Sequence, residues 1–212
     1  MSAAPGNYLI VHTSRAEPFT SAHLGALIKA LHTAGEPSAE LVDWIPLETL
    51  GRALKSDAAA SALSPEELDW VTRRVDDVRS EIAELSWPLG DGLIHGDAWA
   101  GNLLWDTVDE PSRPILGDWD SVSRGPREVD LIPTWHAATR YGRDETWIQA
   151  FVDQYGHDLR DWSGYDVLLQ MRDLAQLPGP IRRSSNPPHT AALRQRLSAI
   201  RAGDRTSPWV AL

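Results

Sequence analysis

The sequence predicts a mainly helical fold carrying one small β-hairpin, an α+β arrangement. Three observations predict it. Apolar residues recur at helical spacing in several windows, as in Leu24, Leu27, Ile28 and Leu31, and again in Leu68, Val71, Val75, Val78, Ile82 and Leu85. Helix signals bracket those windows: Ser64-Pro65-Glu66-Glu67 supplies a capping serine, a first-turn proline and acids near the positive end of a helix. Between residues 93 and 120 the pattern changes, and short apolar runs alternate with polar turns.

Taken in order, residues 7–12 (NYLIVH) read as a short strand. Thr20 or Ser21 caps the first helix and Gly35 stops it. Residues 36–47 read as irregular, with Trp44, Ile45 and Leu47 expected as core plugs, and one helix is expected over 47–60. The helix opened by Ser64 runs to about Leu85, and Pro88-Leu89-Gly90-Asp91-Gly92 turns the chain toward the hairpin. There, Leu93 and Ile94 deliver His95, Gly96 and Asp97 into a loop. Leu103 to Trp105 leave that loop, a polar turn reverses the chain, and Ile115 and Leu116 deliver Asp118 and Asp120. Pro126 and the polar residues before it read as a loop. Helices are expected from Asp130, over 144–155, over 163–174 and over 190–201, with breaks at Leu177-Pro178-Gly179-Pro180 and Asn186-Pro187-Pro188.

At 212 residues the chain is expected to be one domain, or one large domain with an appendage, and its ten tryptophans and 42% apolar content are ample for a core. No run of 18 apolar residues exists, so no membrane span is expected, and the N-terminus lacks a basic-then-apolar leader, so a cytoplasmic location is expected. With no cysteine, disulfides and thiolate metal sites are excluded. A formal net charge of −10 argues against a nucleic-acid partner and suits a cationic small-molecule substrate.

The hairpin gathers carboxylates and one carboxamide at one end: Asp97, Asn102, Asp118 and Asp120. Hard oxygen ligands suit Mg²⁺, which completes its shell with phosphate and water. A lone Asp suits accepting a proton from a hydroxyl. Phosphoryl transfer needs both parts. The plain alternative is that each residue merely caps a turn. Trp99, inside the loop, either stacks on a substrate ring or shields the loop from water. His12, His32, His136, His157 and His189 are too scattered for a metal site, and no Gly-x-Ser-x-Gly elbow is present. Arg182 and Arg183 read as a solvated loop, and the acids on the later helices read as solvated faces that would also suit a cationic aminosugar.

HGDAWAGN at 95–102 resembles the H-G-D-x-x-x-x-N catalytic loop of the aminoglycoside phosphotransferase family, which shares its fold with protein kinases. GDWDSV at 117–122 is similar to that family's metal-binding strand, GPREVDL at 125–131 to its following Asp-Leu segment, and LIKALHTAG at 27–35 to its Leu-x-x-Leu-His helix. The resemblance runs from about residue 7 to about residue 175. It implies a protein-kinase-like C-terminal lobe over 20–212, with the catalytic loop at 93–105 and the metal strand at 115–122, and residues 1–19 as the last strand and hinge of a first lobe. It implies that Asp97 is the base or orienter and that Asn102 and Asp118 hold Mg²⁺ against ATP phosphates. It further implies that His95 braces the loop or assists catalysis, that Asp120 is a second metal or support residue, and that Asp130 supports the loop backbone. Gly117 departs from the bulkier apolar residue usual before the first strand Asp.

The family's phosphate-binding lysine, its glutamate partner and its covering loop have no match before the hinge, and neither Lys29 nor Lys55 sits where that lysine belongs. Three readings stay open. One is ATP- and Mg²⁺-dependent phosphorylation of a small-molecule hydroxyl, aminoglycoside-like or a natural-product alcohol, with the covering lobe supplied from elsewhere. Another is ATP-independent acid/base chemistry by Asp97 with His95 in a biosynthetic pathway. The last is a pseudo-kinase that binds without turnover. The face left by the missing lobe is expected to be covered by residues 1–19, the C-terminal tail, a partner chain or a second copy in a homodimer.

Overall fold

The computed structural model describes residues 18–35, 40–106 and 113–212, so the strand expected at 7–12 lies outside the described residues. Helix α1 (Ser21–Thr33) starts at Thr20, whose amide donates to His23 Nδ1 at 3.2 Å. The window expected to be one helix over 47–60 is two, α2 (Glu48–Leu54) and α3 (Asp57–Ala62). The reason is Ser56: its Oγ accepts the Ala59 amide at 3.3 Å and so starts a new helix instead of continuing the old one. Helix α4 (Pro65–Ala83) carries the reciprocal cap read from the sequence, Glu67 N to Ser64 Oγ at 3.1 Å and Ser64 N to Glu67 Oε2 at 2.9 Å.

The strand region holds two small antiparallel ribbons, not the single hairpin expected. Strands β2 (Leu103–Asp106) and β3 (Arg113–Leu116) form the hairpin proper, with Leu103 opposite Leu116 and Leu104 opposite Ile115. Strand β1 (Asp91–Ile94) pairs with β4 (Ser123–Pro126), the stretch expected to be loop. Polar composition misleads there because pairing satisfies β4 on both sides. Beyond β1, the Arg124 amide donates to the Val42 carbonyl and the Trp44 amide donates to the Arg124 carbonyl, both at 2.8 Å.

The later helices are α5 (Glu128–Tyr141), α6 (Glu145–Tyr155), α7 (Tyr165–Ala175), α8 (Pro178–Arg182) and α9 (Pro187–Arg201). Two expected breaks prove to be helix starts, because Pro178 and Pro187 occupy first turns, where the missing N–H removes no hydrogen bond. Helix α5 is the hub: every residue from Glu128 to His136 is buried, and α1, α6 and α7 pack around it. The α1–α6 contact is close enough that a Cβ on Gly25 would stand 2.7 Å from the Phe151 carbonyl. Of the expected core plugs, Leu47 is buried and Trp44 is half-buried against the core, but Ile45 is 53% exposed on the wall of a cleft described below. None of the helices of the described residues is long and apolar enough to cross a membrane.

One buried acid ties the helical body to the loop that leaves β1. Asp130, fully buried on α5, accepts the His95 amide at 2.7 Å and the Gly96 amide at 2.8 Å, and His32 Nε2 donates to it at 3.1 Å. Tyr155 on α6 completes the chain, its hydroxyl 2.8 Å from His32 Nδ1. Burial pushes the Tyr155 phenol well above its ordinary pKa, so it stays protonated and donates. Gly96 turns the chain at φ +80°, where a Cβ would also collide with the Ser121 carbonyl.

A second buried network fastens the C-terminal residues. Arg140 on α5 grips Asp173 on α7 through two bonds, Nε to Oδ1 at 2.9 Å and Nη2 to Oδ2 at 2.6 Å. The same guanidinium donates to the Ser207 and Asp204 carbonyls and lies 4.4 Å from the Trp209 ring centroid. His136 Nε2 adds a bond to Asp173 Oδ1 at 3.0 Å. Burial outweighs the pull of Asp173 on His136 and lowers its pKa. Burial opposes ionisation of Asp173, but the bonds from His136 and Arg140 win and its pKa falls.

Asp130→Ala should strand two buried amides and lower unfolding free energy by about 3 kcal/mol or more; chemical denaturation measures it. His136 is held neutral, so its contribution is present above the ordinary histidine pKa of roughly 6.5 and is lost as pH falls below it, where the unfolded chain takes up the proton first. The melting-temperature advantage of the unsubstituted chain over His136→Gln should therefore shrink between about pH 7 and pH 5; an advantage that grows on acidification contradicts the assignment.

Candidate active site

The loop after β1 presents its residues by main-chain constraint. His95 is fully buried, its Nε2 donates to the Gly117 carbonyl at 2.9 Å, and its Nδ1 accepts the Asp97 amide at 3.3 Å. Both ring nitrogens are thus engaged in bracing the loop against β3, and Trp119 tilts against the ring at 4.7 Å between centroids. Asn102, also buried, donates from Nδ2 to the Asp97 carbonyl at 2.9 Å, while its own carbonyl accepts the Gly117 amide at 2.8 Å. Gly117 is therefore stapled from both sides, and a Cβ there would press on Leu104. That is a local reason for the glycine where the family resemblance leads one to expect a larger residue.

With its backbone fixed, Asp97 sends its carboxylate into a cleft of about 390 Å³. The cleft lies between residues 42–52, the turn at 120–123, and Met171, Arg172 and Ala175 of α7. Arg172 Nη1 donates to Asp97 Oδ1 at 2.9 Å. Asp120 shares this cleft with Asp97, whereas Asn102 and Asp118 do not line it. Asp118 is exposed at the end of β3 and is one of two non-glycine residues with positive φ among those described, at φ 60° and ψ 61°. Trp99 is 48% exposed and lies over Gly101, where a Cβ would collide with the indole.

No three acidic or imidazole side chains among the described residues converge closely enough to hold a metal by themselves. Asn102 Oδ1 and the carboxylates of Asp118 and Asp120 accept no hydrogen bond from described residues, and all are hard oxygen donors. That set suits a cation that draws its remaining ligands from phosphate and water. Three residues of this assembly were not singled out from the sequence as site partners: His32, Tyr155 and Arg172. His32 had a signal, since it continues the Leu24, Ile28 stripe at a spacing of four as an imidazole on a buried helix face. Arg172 lies 75 residues from Asp97 and had none.

Comparison with solved structures shows a shared fold. An amicoumacin kinase in complex with AMP-PNP, Ca²⁺ and Ami superposes with a TM-score of 0.63 at 16% identity, over 90% of this chain and 60% of that one. A choline/ethanolamine kinase family protein from Mesorhizobium loti gives 0.60 at 19% identity, over 86% and 61%. A microcompartment-associated aminopropanol kinase gives 0.60 at 18% identity, over 85% and 59%. These identities establish the fold alone, and the chain spans about 60% of the length of those solved structures. No curated protein matches. A family model described as "Phosphotransferase enzyme family" matches residues 13–168, and the chain belongs to that family.

Proposed function

We propose that this chain is the acceptor-binding and catalytic lobe of a small-molecule kinase that moves a phosphoryl group from ATP to an alcohol. The observation that carries the reading is Asp97: its main chain is clamped by His95 and Asn102, one carboxylate oxygen is held, and Oδ2 accepts no hydrogen bond from the described residues while the side chain faces a cleft. A carboxylate so placed orients an acceptor hydroxyl and takes its proton as the new O–P bond forms. Mg²⁺ and the nucleotide are supported by the donor chemistry of Asn102 and Asp118, which would hold the cation, with Asp120 as a further carboxylate of the site. When bound, that cation neutralises phosphate charge. His95, with both nitrogens engaged, keeps the loop in register in this scheme.

The cleft also suggests the acceptor. Its walls carry Asp43, Glu48, Asp97 and Asp120 against Arg52 and Arg172, an acidic surplus, with apolar surface from Val42, Ile45 and Met171. A small alcohol bearing an amine fits that balance. The choline/ethanolamine kinase family protein and the aminopropanol kinase share the fold, and their names define a sensible panel.

The test is phosphoryl transfer from ATP and Mg²⁺ to choline, ethanolamine and 1-amino-2-propanol by the full 212-residue chain, followed by phosphorus NMR. Asp97→Asn should cut turnover by roughly 10²- to 10⁴-fold, the range typical of a general base, and leave the Michaelis constant for ATP nearly unchanged. Binding of amine without phosphoryl transfer to any of the three would replace this reading with a binding-only lobe.

A further inference from the structure

We infer that Arg172 is a positioning residue that sets the direction of the Asp97 carboxylate, an inference that rests on the phosphotransferase reading. The main chain of Asp97 is already fixed from two sides, by His95 Nδ1 at its amide and by Asn102 at its carbonyl. What those bonds leave free is rotation of the side chain. Arg172 Nη1 closes that freedom at Oδ1, 2.9 Å away, and it is the one side chain among the described residues that bonds to this carboxylate. The second oxygen is thereby presented to the cleft in a single orientation.

The pair is built unlike a stability device. The cation is the sheltered member, 15% exposed at its side chain, and the anion is the more open one, at 38%. Arg172 Nε is buried with no hydrogen-bond partner among the described residues. A sheltered guanidinium with an unmet donor is a poor way to hold a fold together. It is a good way to place a fixed positive charge next to a reacting group, because the charge needs no reorganisation when the reaction occurs. The helix that carries it is anchored independently. The next residue, Asp173, is gripped from the opposite side by Arg140 and His136, so α7 cannot slide or turn without breaking that buried network.

The experiment compares steady-state kinetics of the full chain and of Arg172→Met, Arg172→Lys and Arg172→Ala, with ATP, Mg²⁺ and whichever of choline, ethanolamine or 1-amino-2-propanol is turned over fastest. Arg172→Met should lower kcat by about 100-fold, the loss typical of a small misplacement of a catalytic group, with the Michaelis constant for the amino alcohol changed by no more than about twofold. Arg172→Lys should recover part of the loss, and a few millimolar guanidinium should raise the rate of Arg172→Ala. A structural role would produce neither rescue. Should Arg172→Met fold poorly, the lysine variant and the guanidinium response decide alone. Unchanged kcat, or a raised Michaelis constant with kcat intact, overturns the inference while leaving the phosphotransferase reading in place. Absence of turnover by the unsubstituted chain overturns that reading, and this inference with it.

Discussion

The structure depends on a carboxylate that never meets solvent. Asp130 sits at the start of the central helix and accepts hydrogen bonds from two consecutive main-chain amides of the loop above it and from His32 beside it. Burying an acid is unfavourable unless its oxygens are fully engaged. Here three donors engage them, and the position of each donor is consequently dictated by the helix underneath. The loop inherits its geometry from the helical core rather than from the short strands that lead to it. Strands of four residues paired in twos would be weak carriers of such accuracy by themselves.

Much of this was legible in the sequence, for physical reasons that differ from element to element. Helix α4 announces itself because cap, first-turn proline and apolar stripe all lie within twenty residues and all act locally. Helix α6 does so through a cap and an apolar stripe without the proline, with Asp144 as its cap and Gly156 in the left-handed conformation at its end. Strand β4 does not, because Ser123-Arg124-Gly125-Pro126 has no strand preference of its own; it is extended because β1 and residues 42–44 supply partners from far away in the chain. The split between α2 and α3 turns on one serine side chain choosing a cap over continued helix.

The site divides along the same line. Residues close together in the sequence, from His95 to Asn102, carry a recognisable pattern whose spacing reflects one loop. Its further partners come from distant helices, Arg172 75 positions from Asp97 and His32 98 positions from the Asp130 that holds the loop, and only the tertiary fold selects which arginine and which histidine they are. Helix α7 shows how economical that selection is. Arg172 and Asp173 are adjacent, yet one meets the open cleft and the other the sealed network beneath Trp209. Successive residues on a helix point about a quarter-turn apart, so a single turn of backbone serves two electrostatic environments of opposite character.

The left-handed backbone of Asp118 is a standing disadvantage for an aspartate whose carboxylate accepts no hydrogen bond from the described residues. Glycine would adopt that conformation without penalty, and asparagine would with less. A laboratory evolution campaign rewarding heat tolerance alone would therefore be drawn to replace this residue early. Variants hardened in that way would trade a carboxylate at the strand end for a relaxed turn, and under the cation-holding role proposed for Asp118, screening for thermal endurance and for chemistry would pull this one position in opposite directions.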